Sequence, residues 1–91
     1  MTMKYVLRYE TDPTKLAEAQ AHFPAHRARL DAFHADGTLL LVGAFEDPRD
    51  GAMGIFTSRE AAEAFVAGDP FVQHGVVARY TLQGWREIFG V

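Results

Sequence analysis

Thr38-Leu39-Leu40-Leu41-Val42-Gly43-Ala44-Phe45, then Glu46-Asp47-Pro48-Arg49-Asp50-Gly51, then Ala52-Met53-Gly54-Ile55-Phe56, is the stretch on which the fold turns. The first part is an unbroken apolar run of strand length, read as a strand buried on both sides for much of its course. The second is a polar cluster holding a proline and a glycine, a turn. The third is again short and apolar. So short a connection predicts an antiparallel hairpin.

Toward the N-terminus, Gly37 offers a helix stop. The residues before it carry apolar side chains at helical spacing, with Leu30 and Phe33 four and seven positions after His26. At about 100° per residue these three share one face, with His34 some 80° away at its edge. Proline costs about 3 kcal/mol inside a helix, so the main helix is expected to start near Pro24. Lys15 to His22 is helix-compatible on its own, after a turn in which Asp12 caps and Pro13 takes the first position. Met3 to Tyr9 alternates with period two and reads as a strand running on to Glu10.

Beyond the hairpin, Thr57-Ser58-Arg59-Glu60 has capping-box spacing. A second helix carries Ala61, Ala62, Phe65 and Val66 and ends at Gly68. Asp69-Pro70 opens a short helical turn to about Gln73, and Val76 to Leu82 reads as the last strand, followed by an apolar-rich tail from Gly84 to Val91. The order is βαββαβ. This predicts an α+β, ferredoxin-like fold: a four-stranded antiparallel sheet with two main helices on one face. The other face would be bare in a monomer, which predicts a homodimer formed through it.

Composition fits one small domain over 1–91: 91 residues, 48% hydrophobic and 23% charged. Nine basic residues against twelve acidic ones give net −3. That charge argues against a general nucleic-acid or anionic-membrane footprint. The absence of cysteine excludes disulfides, thiolate metal sites and thiol catalysis. No apolar run reaches a membrane span, and the first residues lack a signal-peptide layout, so the expectation is a cytoplasmic protein.

Few residues could carry chemistry. His26, near the start of the predicted helix and on its inward face, needs a hydrogen-bond partner. Histidine suits proton transfer at neutral pH. Asp69 is accounted for as a cap, yet an ionised carboxylate has acceptor sites to spare and could orient an imidazole. His22 and His26 have the spacing of two metal ligands on one helix face, but Pro24 lies between them, and neither His34 nor His74 makes a convincing third ligand, so no metal is expected. Arg8, Arg29 and Arg79 could each bind a carboxylate, though a paired surface charge explains each. The aromatics read mainly as core and interface, with room for a pocket suited to an aromatic or other largely apolar small molecule. Gly51-Ala52-Met53-Gly54 sits in the hairpin and is no nucleotide loop. The single serine, Ser58, is accounted for by capping, and no cofactor signature is present.

Pro24-Ala25-His26-Arg27-Ala28-Arg29-Leu30, with Gly37-Thr38-Leu39-Leu40-Leu41-Val42-Gly43, resembles the first half of the YCII-like (YciI-related) family. Glu60-Ala61-Ala62-Glu63-Ala64-Phe65, with Gly68-Asp69-Pro70-Phe71-Val72 and Gly75-Val76, resembles its second half, and Trp85-Arg86-Glu87-Ile88-Phe89 its closing segment. The resemblance implies a ferredoxin-like fold dimerising through its sheets, as in the dimeric α/β-barrel group. It also implies a His–Asp pair in a pocket, with His26 and Asp69 in those places and Arg29 at an arginine position of less defined role. Some members eliminate chloride from chlorinated, hydroxylated aromatics. The hairpin insertion of some members is reduced here to Asp47–Gly51, and the Asp-Gly-Pro-Phe signature of a related branch is absent.

Two functions follow. One is a cofactor-independent enzyme of lyase or isomerase type, with His26 exchanging a proton and Asp69 holding its ring. The alternative is a non-catalytic dimeric module binding a small ligand or a protein, in which the pair ties helix to helix. Haem-dependent or cofactorless oxygenation is a weaker third, since no residue marks an axial ligand.

Overall fold

The computed structural model describes residues 2–90. Met1, and Val91 at the end of the apolar-rich tail, lie outside the described residues. In chain order the elements are β1 (Thr2–Thr11), α1 (Leu16–Ala35), β2 (Leu39–Ala44), β3 (Ala52–Phe56), α2 (Arg59–Gly68), α3 (Pro70–Gln73) and β4 (Val77–Glu87). The strands form one antiparallel sheet ordered β2-β3-β1-β4. The predicted α+β, ferredoxin-like arrangement is what is observed.

The hairpin forms where expected, with Val42 opposite Gly54 and Ala44 opposite Ala52. Asp47 caps its turn by accepting from the Arg49 N–H at 3.0 Å. Gly51 closes the turn at φ 102°, where any Cβ would collide with the Tyr9 carbonyl. No other residue type fits both constraints. The expectation that β2 is buried on both sides is not met: only Leu39 is buried, and Leu41 and Val42 are 59% and 49% exposed. The register gives the reason: Val42, opposite Gly54, faces the open groove under α1, and Leu41, opposite Ile55, points to the sheet face that no helix covers.

Pro24 does not start a helix. α1 runs unbroken through it for 20 residues. The backbone bond that proline cannot make would go to Gln20, and both residues are exposed, so water can serve the freed carbonyl. The face that continues past Pro24 carries His26, Leu30 and Phe33 onto the sheet, which offsets the lost bond. At the far end Gly37 takes φ 87° and the Thr38 N–H returns to the Phe33 carbonyl at 3.2 Å, the predicted glycine stop. Asp12 caps the turn before the helix by accepting from the Thr14 N–H at 2.9 Å.

The cap of α2 sits one residue later than the capping-box spacing implied: Ser58 Oγ accepts from the Ala61 N–H at 3.1 Å. β4 also runs further than expected, to Glu87, pairing Trp85 with Lys4 and Glu87 with Thr2. Lys4 Nζ and Glu87 Oε2 close that end at 2.7 Å.

The helices cover one sheet face. Leu7, Tyr9, Leu39, Phe56, Ala62, Phe65 and Val66 make the core between the layers. The other face carries Ile55, buried among its neighbours, and the exposed Leu41, Met53 and Trp85. No helix among the described residues is long and apolar enough to cross a membrane.

Candidate active site

Asp69 is placed by two helix ends at once. Its N–H returns to the Val66 carbonyl to close α2, and its extended backbone caps α3, with Pro70 at the first helical position. The side chain is fully buried. An ionised carboxylate in such a place costs several kcal/mol unless donors surround it. Three do. Oδ1 accepts from the Phe71 N–H at 3.1 Å and lies 2.7 Å from His26 Nδ1, while Oδ2 accepts from the Tyr9 hydroxyl at 2.7 Å. No buried side-chain polar atom among the described residues lacks a partner.

His26 comes from α1, two residues after the proline, and is 9% exposed. Its ring stacks flat on Phe71, with centroids 3.9 Å apart and planes 6° from parallel, and meets the edge of Phe65 at 6.3 Å. A carboxylate only accepts, so the Nδ1 contact fixes the proton of the neutral ring on Nδ1. Nε2 then carries the lone pair. It has no hydrogen-bond partner among the described residues, and because no such atom is sealed and unpaired, Nε2 keeps contact with open space.

Beside the ring runs a groove of about 760 Å³ between α1 and the β2 side of the sheet. His26 stands in its lining with Phe23, Leu30, Leu39, Val42 and Phe71. The wall is largely apolar, which suits an aromatic or aliphatic body with few polar groups. Burial and the neighbouring Asp69 carboxylate both push the Tyr9 phenol well above its ordinary value. Tyr9 is therefore a neutral donor at working pH.

Thus the structure brings His26 and Asp69 together. Arg29 it sends elsewhere: Nε donates to the Phe65 carbonyl at 3.0 Å and Nη2 to Ala64 at 2.7 Å, while the guanidinium lies over the Phe33 ring at 5.0 Å. It is not among the groove-lining residues and satisfies the last carbonyls of α2. His22 stacks on His74 at 3.7 Å. No group of three possible metal ligands occurs among the described residues.

Tyr9 was not singled out by sequence reasoning, which placed it with the core aromatics. The available signal was its position: a tyrosine on the inward face of a strand must find a partner for its hydroxyl.

The curated protein YciI from Escherichia coli is 32% identical over 98 aligned positions, which take in 96% of this chain and 100% of that protein, and YciI from Shigella flexneri matches equally. Among solved structures, 5-chloro-2-hydroxyhydroquinone dehydrochlorinase (TftG) from Burkholderia phenoliruptrix, in complex with 2,5-dihydroxybenzoquinone, superposes with a TM-score of 0.76. It is 22% identical, with 91% of this chain and 93% of that chain covered, and supports the fold. The family model of the YCII-related domain matches residues 3–86, and the chain belongs to that family.

Proposed function

We propose that this chain is a cofactor-independent acid–base enzyme of lyase or isomerase type, acting on a small hydroxylated molecule seated in the α1–β2 groove. The observation that carries this reading is the division of roles on one imidazole. Nδ1 is tied to a buried carboxylate, and Nε2 stands unpaired beside an apolar groove. His26 Nε2 takes a proton from the substrate, and Asp69 stabilises the imidazolium through a charge-assisted hydrogen bond. In an elimination the leaving group departs with its bonding electrons. In an isomerisation the imidazolium returns the proton to another atom. Tyr9 and the Phe71 N–H hold Asp69 in place.

His26→Asn tests this, because its amide keeps a donor for Asp69 and removes Nε2. The assay is turnover of a panel of hydroxylated aromatics, including 5-chloro-2-hydroxyhydroquinone with chloride release as the signal. The variant is expected to fold, with its melting temperature shifted by only a few degrees, and to lose about 10²–10⁴-fold in rate. Undiminished turnover would remove the mechanism.

A second reading has its own support. Two donors from distant segments and one from its own capping turn surround Asp69, as befits a structural clamp in a non-catalytic dimeric module that binds a small ligand or a protein. It predicts binding without turnover in the wild type, and a loss of several kcal/mol for Asp69→Asn. Either way we propose pairing of two copies through the bare sheet face, where Leu41, Met53 and Trp85 are exposed.

A further inference from the structure

The sheet ends on two strands of unequal kind. β2, at one edge, is six residues long, and its pairing with β3 slips between Leu39 and Leu41. Such an irregularity turns an edge away from further pairing. β4, at the other edge, is 11 residues long, and from Arg79 to Glu87 it matches β1 residue for residue without a slip. Between Tyr80 and Trp85 it holds neither a charge nor a proline, the usual devices that protect an edge. The outward-turned N–H and C=O groups of this stretch have no strand beside them among the described residues. The register with β1 sets Arg79 and Glu87 on the bare sheet face, and Tyr80 and Arg86 on the helix side.

We infer that β4 pairs antiparallel with β4 of a second copy, in the register that places Gln83 opposite itself. A two-fold axis between antiparallel strands stands perpendicular to the sheet, so facing residues share a face and the register can shift only by two residues at a time. Among those registers, the one centred on Gln83 alone sets opposite charges across from each other: Arg79 of one copy faces Glu87 of the other, twice by symmetry. Within a copy Arg79 is bonded to Glu10, and Glu87 to Lys4 at 2.7 Å. Each crossing therefore builds a row of alternating sign: Lys4, Glu87, Arg79, Glu10. On the helix side Tyr80 faces Arg86, a guanidinium beside an aromatic ring. Arg86 has no acidic partner among the described residues. Moving the register two residues either way leaves Glu87 opposite Val77 or Thr81, and Arg86 opposite Ala78 or Leu82, with no charge matched. Backbone bonds supply the attraction, as in strand addition at a sheet edge, and the charges fix the register. The contact is small, so it forms at high protein concentration. It joins the strands side by side and leaves the bare face open.

Sedimentation velocity on the full chain, from low micromolar to millimolar protein, reads this pairing as a doubling of mass above the species that prevails at low concentration. Tyr80→Lys tests the register, because it sets a lysine across from Arg86 on the helix side, away from the bare face. Tyr80 is 47% exposed, so the variant is expected to melt as wild type does. The doubling should vanish in Tyr80→Lys and return when Arg86→Glu is added, since the facing charges then attract. In wild type, amide exchange at alternate residues from Arg79 to Glu87 should slow at the higher concentration, a readout that needs no variant. A mass that stays constant with concentration, a doubling that survives Tyr80→Lys, a double variant that fails to recover it, or edge amides that exchange alike at both concentrations would overturn the pairing. None of these outcomes bears on the role of His26, and a chain that is monomeric at low concentration should still show the doubling.

Discussion

Tyr9 gives Asp69 one of its three donors, and it does so from the first strand. Tyr9→Phe leaves Oδ2 without that donor in a site closed to water, which is expected to cost about 2 kcal/mol in a denaturant titration. The same hydroxyl makes stability depend on alkaline pH. Burial and Asp69 raise its folded-state pKa above the unfolded value, so its contribution is complete below about pH 10 and fades as pH rises beyond that. There the unfolded chain gives up a proton that the folded chain keeps, so stability falls by up to about 1.4 kcal/mol per pH unit. Tyr9→Phe should remove this slope, and equal slopes in both proteins would contradict the assignment. His26 and Asp69 were legible because helical period and an Asp-Pro pair each mark a location. The tyrosine hydroxyl was not, because strand alternation says which way a side chain points and nothing about what awaits it there.

At the scale of elements, α1 carries an internal proline that the sequence reading took for a boundary. The local cost of Pro24 is written in the sequence, whereas the gain from a continuous inner face against the sheet depends on tertiary packing. If water serves the freed Gln20 carbonyl, Pro24→Ala restores a backbone bond on the exposed side and should stabilise the protein by about 1–2 kcal/mol, the gain being reduced because proline also restricts the unfolded chain. A lower melting temperature for the variant would count against this account. The hairpin makes the opposite demand. Gly51→Ala puts a methyl group onto the Tyr9 carbonyl at a positive φ and should cost about 3 kcal/mol or more, read as a melting temperature lowered by well over 10 °C. The turn was plain from Asp47, Pro48 and Gly51. The exposure of β2 was not, since an apolar run reads the same whether its own chain, a groove or a second copy covers it.

For the whole molecule, the bare sheet face is the largest feature left unexplained by the monomer. If two copies pair there, Leu41→Lys with Trp85→Glu places a charge at each of two exposed positions. The pair is expected to shift sedimentation velocity from dimer to monomer with the secondary structure retained; a dimeric double variant would locate the interface elsewhere.

The carboxylate of Asp69 joins segments 60 and 43 residues away in sequence. Such distant closures form only after the intervening chain has collapsed and docked. A half-formed intermediate would have to strand an ion in oil, so the energy landscape penalises partial assembly. Catalytic competence and global order should therefore arrive in the same kinetic phase on refolding, and amide exchange around Asp69 should report the full unfolding free energy and no smaller local opening.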